Sequence, residues 1–188
     1  MALVVTNNAE LKMLKRLLLA GGSADIFVNG TDSIDTTKRE VTIELFTTGY
    51  TMPTDTDTVT VSDLYGARPG KSGYSPITLL PNESTGGNQG WIFATDASGI
   101  TSATYFNDTD SDGANDGITF TFNSDTYTES ISGYFVRAKQ TLDGTAEDLS
   151  ASPKVYGELL WFEVFEDGPY NIPEGGGSIK LIPKIELS

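Results

Sequence analysis

Apolar residues change period once along the chain. Leu11, Leu14, Leu17 and Leu18 recur at i, i+3, i+6 and i+7, and Lys12, Lys15 and Arg16 lie off that stripe. Asn7 stands three residues before Glu10, as an N-cap and its partner do, and Gly21-Gly22 closes the pattern. These signals predict one short N-terminal amphipathic helix over residues 8–20. Burying its leucines would contribute about 6–12 kcal/mol of gross apolar transfer. After it the period is two. Glu40–Thr47 alternates with Val41, Ile43 and Leu45 on one face, and Gly117–Phe122 with Ile118, Phe120 and Phe122. Tyr74–Leu80, Gly90–Thr95 and Ser102–Phe106 read as shorter strands. Ser130–Ala138 and Val155–Glu166 are the strongest apolar runs. Ile179, Leu181, Ile185 and Leu187 predict a last strand, bulged or at an edge because Pro183 offers no N–H.

Turn clusters separate these runs and no helical pattern intervenes. The expected fold is mainly β, an antiparallel β-sandwich of jelly-roll type carrying the N-terminal helix. Two parts are expected, an arm over residues 1–22 and a β-sandwich domain over 23–188, joined at Gly21–Ser23. The helix has two readings: it caps its own domain's core, or it is an arm whose Leu11, Leu14, Leu17 and Leu18 dock on a neighbour. Thr48–Asp57, Pro81–Gly90 and Thr141–Pro153 are long polar loops of the kind that make contacts.

Composition removes much chemistry. The 188 residues include no His and no Cys, and 12 basic against 26 acidic side chains give a net charge of −14. Catalytic triads with His, thiol nucleophiles, disulfides and Cys- or His-ligated zinc are excluded. Zero cysteine leaves the redox compartment open. Nucleic-acid binding is not expected, since neutralising phosphates needs clustered Lys and Arg. Arg68, Lys71 and Tyr74 are too sparse a basic-aromatic spot for it. No apolar run is long enough for a membrane span or a secretory leader. The glycine pairs and triplets lack the Gly-Lys-Ser/Thr ending of phosphate loops. Trp91 and Trp161 read as core.

The candidate chemistry lies in Asn107–Gly117, NDTDSDGANDG. Asp108, Asp110 and Asp112 alternate, Gly113 follows, and Asp116 comes four after Asp112. Carboxylates two apart on one tight loop suit a hard cation, so these four aspartates are the expected metal ligands and calcium the expected ion. The loop resembles the first half of an EF-hand, or a thrombospondin type 3 loop. Counting Asp108 as first, Thr119 stands where an EF-hand places its bidentate Glu, and the flanks read as strands. The plainer reading is a solvated acidic hairpin tip. Residues 101–150 hold nine acidic side chains against Arg137 and Lys139. No Asp/Glu pair stands out as a glycosidase couple, and no other cofactor is required.

The order of segments also resembles small virion proteins of tailed bacteriophages, some of them capsid cement or decoration proteins. The start MALVVTNNAELKMLKRLL and the stretch VTIELFTTGYTMPTDTDTV are similar to that family, and GYSPITL, GWIF and GITFTF follow in order. The most specific part is ISGYFVRA with GELLWFEVFEDGPYNIPEGGGSIKLIPKIELS. There the family repeats a Gly-Tyr-Tyr/Phe-Val strand, a Leu-Leu-Trp-x-Glu-x-Phe strand, a Gly-Pro turn and a Pro-Lys-Ile-x-Leu strand. Asp108–Asp116 and Gln140–Pro153 look like insertions. The resemblance implies a non-enzymatic protein on the outer surface of the capsid, made in the host cytoplasm. It would bind the major capsid protein of the same phage, bridge capsomers, and assemble with itself as a homotrimer or homodimer. It implies no nucleic-acid or membrane partner. A tail or neck component of the particle is an alternative within that class. A calcium-dependent carbohydrate-binding module is one outside it.

Overall fold

A computed structural model describes residues 40–54, 56–84, 87–139 and 145–187, together with Leu14 and Leu18. The protein is mainly β, with ten strands, one short α-helix and one 3-10 helix (Thr56–Thr58) among the described elements. The chain divides into two compact units. One contains Lys38–Leu79 and Thr119–Ile179, and the other Leu80–Ile118 and Lys180–Ser188 with Leu14 and Leu18.

In the first unit, β1 (Val41–Thr47) lies between β2 (Ile77–Leu79) and β6 (Glu129–Ala138). Next to β6 come β7 (Glu158–Val164) and β8 (Tyr170–Ile172). All of these pairings are antiparallel. β1 is buried on both faces, from Val41 through Phe46. One face carries Phe46 and Phe135, covered by Val59, Leu64 and the half-buried Leu159 and Phe162. Burying each of the large side chains contributes about 1.5–3 kcal/mol.

The helix α1 (Val61–Gly66) brings Leu64 to this face. The periodicity predicts no helix here, because six residues are too few to show one. The signal is instead the cap. The Thr60 hydroxyl accepts the Asp63 N–H at 3.3 Å, and the Asp63 carboxylate accepts the Thr60 N–H at 3.0 Å.

Tyr74 lies beside β1, and its ring stacks on Phe120 and Phe122 at 5.9 Å each. The Leu45 N–H donates to the Tyr74 hydroxyl at 2.9 Å, which satisfies the ladder where β2 has ended. Burial raises the Tyr74 pKa well above its ordinary value, so the hydroxyl stays protonated.

The second unit holds an antiparallel three-stranded sheet. β4 (Thr101–Phe106) lies between β3 (Gly90–Thr95) and β10 (Lys184–Leu187). Trp91 and Tyr105 pack edge to face at 5.1 Å in its core. The Leu80 N–H donates to the Tyr105 hydroxyl at 2.9 Å. β5 (Ile118–Phe122) and β9 (Gly177–Leu181) pair as a two-stranded sheet, and the chain passes between units within each of them.

Several expected boundaries move. Tyr74–Leu80 shortens to β2, and Val155–Glu166 to β7. The expected last strand is two, β9 and β10, separated at Ile182-Pro183 because Pro183 cannot donate. Trp91 is core as expected. Trp161 is half-buried in β7 at the sheet's edge.

Candidate functional site

The acidic loop joins β4 to β5, which belong to different sheets, so it is no hairpin tip. Asn residues close its neck. The Asn107 side chain donates to Gly117 O at 2.6 Å, and the Asn115 side chain donates to Tyr105 O at 2.8 Å. The Asn115 side-chain oxygen accepts the N–H groups of Asn107 and Gly117, each at 3.0 Å. At Gly117, φ is +68° and a Cβ would collide with Leu181 O, so only glycine fits.

Inside the loop, carboxylates accept backbone N–H groups. Asp108 takes Ser111 and Gly113, at 2.6 and 2.9 Å, and Asp110 takes Asp112 at 3.2 Å. Asp112 takes Ala114 at 2.7 Å. Asp116 accepts the Thr109 N–H at 2.8 Å and the Thr109 hydroxyl at 2.5 Å, with Lys180 Nζ at 3.5 Å. The Thr109 hydroxyl and N–H hold the Asp116 pKa below its ordinary value, helped by Lys180.

Asp108, Asp110 and Asp116 bring one carboxylate oxygen each within 4.8 Å of one another. Oxygens bound to one calcium ion at about 2.3–2.6 Å span that separation. A carboxylate oxygen that accepts one N–H retains a lone pair for a cation. Asp112 is not in this group. Its carboxylate turns to Ala114, so the loop gathers three of the four expected ligands. Thr119, at the EF-hand's twelfth position, faces solvent in β5.

Of the proposed arm residues, Leu14 and Leu18 have helical backbone and are buried, each at 1% exposure. Leu11 and Leu17, and the joint at Gly21–Ser23, lie outside the described residues.

Sequence reasoning missed a buried charge cluster in the β1/β6 sheet. Glu44, fully buried in β1, accepts Arg137 Nε at 2.7 Å and Arg68 Nη1 at 3.0 Å. Arg137 also pairs with Glu147 and donates to Tyr156 O at 2.8 Å. Both guanidinium groups lie over the Tyr65 ring, Arg68 at 3.5 Å and Arg137 at 5.1 Å. Burial acts to lower the Arg137 pKa, but the charges and hydrogen bonds of Glu44 and Glu147 outweigh it and raise the value. Two arginines and two glutamates balance. Glu44 is surrounded by apolar residues in the sequence, and nothing local announces partners 24 and 93 positions away.

Lys71 is buried too, donating from Nζ to Tyr127 O at 2.6 Å. It belongs to the packing of the first unit and not to a basic surface.

Compared with known proteins, the chain matches no family model, no curated protein and no solved structure. Among the described residues no helix is long and apolar enough to cross a membrane.

Proposed function

We propose that the protein is a non-enzymatic structural component of a tailed-phage particle, a capsid cement that binds the outer shell and bridges capsomers. What supports this reading is the C-terminal resemblance in the sequence. Its three strand motifs coincide with β6, β7 and β10, and its Gly-Pro turn is Gly168-Pro169, after β7. A sheet-built body suits the role, and the finer arrangement we propose is a jelly-roll-like sandwich. The major capsid protein is the proposed partner, together with further copies of the chain as a homotrimer or homodimer.

The physical logic is mass action. A protein that binds assembled shell in preference to loose subunits stabilises the shell, and many copies need only modest contacts each. The acidic exterior is compatible with a position away from the packaged genome. Deleting Met1–Gly22 tests the arm: under that reading the sheets stay folded and attachment to heads weakens. Imaging the labelled protein on particles separates head from tail or neck.

The grouping of Asp108, Asp110 and Asp116 favours a second reading, a calcium-dependent carbohydrate-binding module. Calcium at about 100 times its Kd would stabilise the fold by about 2.7 kcal/mol, and EDTA would remove that gain. A melting temperature equal in calcium and EDTA retires the metal. A blank glycan array retires the module.

A further inference from the structure

β7 ends its sheet, and its outward backbone groups can be identified. In an antiparallel ladder, opposed residues alternate between pairs that exchange both hydrogen bonds and pairs that exchange none, whose N–H and C=O point away. The Phe165 N–H donates to Ser132 O at 2.9 Å. A Cβ on Gly133 would collide with Glu163 O, so that carbonyl also points toward β6. Glu163 and Phe165 therefore carry the bonds to β6. Phe162 and Val164, opposite Phe135 and Gly133, turn their N–H and C=O to the open side. Among the described residues no strand lies there.

No residue of β7 is buried, although it carries four apolar residues in a row, Leu159–Phe162, and Val164 is 43% exposed. A bare apolar edge invites aggregation, and proteins guard such edges with bulges and charge. Both guards are present. Leu160 is an extra residue between Leu159, opposite Arg137, and Trp161, opposite Val136. The turn after Phe165 interrupts the edge before β8 resumes it. The regular stretch is Trp161–Val164. Residues 155–179 contain Glu158, Glu163, Glu166, Asp167 and Glu174 and no Lys or Arg. A second copy would set this acidic set against itself, and like charges across a strand pair repel. A strand carrying cations meets the complementary field.

We propose that the β7 edge at Phe162 and Val164 takes an extended, Lys- or Arg-bearing segment of another protein by strand addition. This rests on reading the protein as a binding component, and names how it takes its partner.

The test uses the full chain, isotope-labelled, with a short end-capped peptide alternating lysine and valine, and a second peptide with glutamate in place of lysine. The lysine peptide slows amide exchange at Phe162 and Val164 by about tenfold or more at saturation, and added salt weakens it. The glutamate peptide does neither. Val164→Pro removes one outward N–H without touching the β6 ladder, so it abolishes the protection and leaves the melting temperature unchanged. Glu166→Lys with Asp167→Lys alters only exposed turn residues, and lowers affinity for the lysine peptide even if the proline variant fails to fold. No protection by the lysine peptide, equal protection by both peptides, or a self-dimer dissolved by Val164→Pro overturns the proposal. Saturable binding to phage heads with no peptide effect overturns the edge alone, and leaves the proposed particle role intact.

Discussion

Arg137 Nε donates to Glu44 Oε1 at 2.7 Å across neighbouring strands, with both side chains out of solvent. A buried carboxylate is tolerated only when paired, and here two guanidinium groups share the task. Glu44→Gln leaves both arginines without their common counter-charge. It should lower stability by about 3–5 kcal/mol, read as a fall in the urea midpoint. Arg68 is partly exposed, so Arg68→Met should cost no more than about 1 kcal/mol. Equal losses in the two variants would contradict the assignment.

Gly133 is fixed by crowding. A Cβ there would run into Glu163 O and the Phe46 ring. Gly133→Ala must displace β7 or Phe46, and should cost about 1–3 kcal/mol. Thermal unfolding measures it, and an unchanged midpoint would contradict the packing described.

How much was legible in the chain follows from how local each cause is. β1, β3, β4, β5 and β6 emerge near their expected places, because alternation such as Ile118, Phe120 and Phe122 is written in adjacent residues. α1 was not legible by periodicity, since one and a half turns carry no stripe. Its cap at Thr60 and Asp63 was the available signal. Pairing was out of reach, so the apolar run Leu159–Phe162 reads as core while the sheet places it at an edge. The acidic loop was legible as a loop. That Asp112 turns away depends on which N–H each carboxylate finds. The Glu44 cluster joins residues far apart in sequence, and no spacing rule reaches that distance.

Acid should loosen the 107–117 loop. The Asp116 pKa lies below its ordinary 3.8 when folded, through Thr109 and Lys180. A depressed folded value means that the interaction is fully present above 3.8 and is lost as pH falls through the folded value. The Thr109 amide resonance should therefore titrate below pH 3.8. In Asp116→Asn it should show no such step. A Thr109 titration in the variant would contradict the bond.

Leu14 and Leu18 are buried within the single chain. Leu14→Ala or Leu18→Ala should each cost about 2–5 kcal/mol in isolated protein, measured by urea unfolding. No loss would mean that these side chains matter only when a partner is present, as the arm reading requires.

The most direct test of the proposed particle role is to mix purified protein with phage heads stripped of it and count bound copies as concentration rises. The account predicts saturation at one fixed number per head. Absence of binding over a wide range of salt would contradict it.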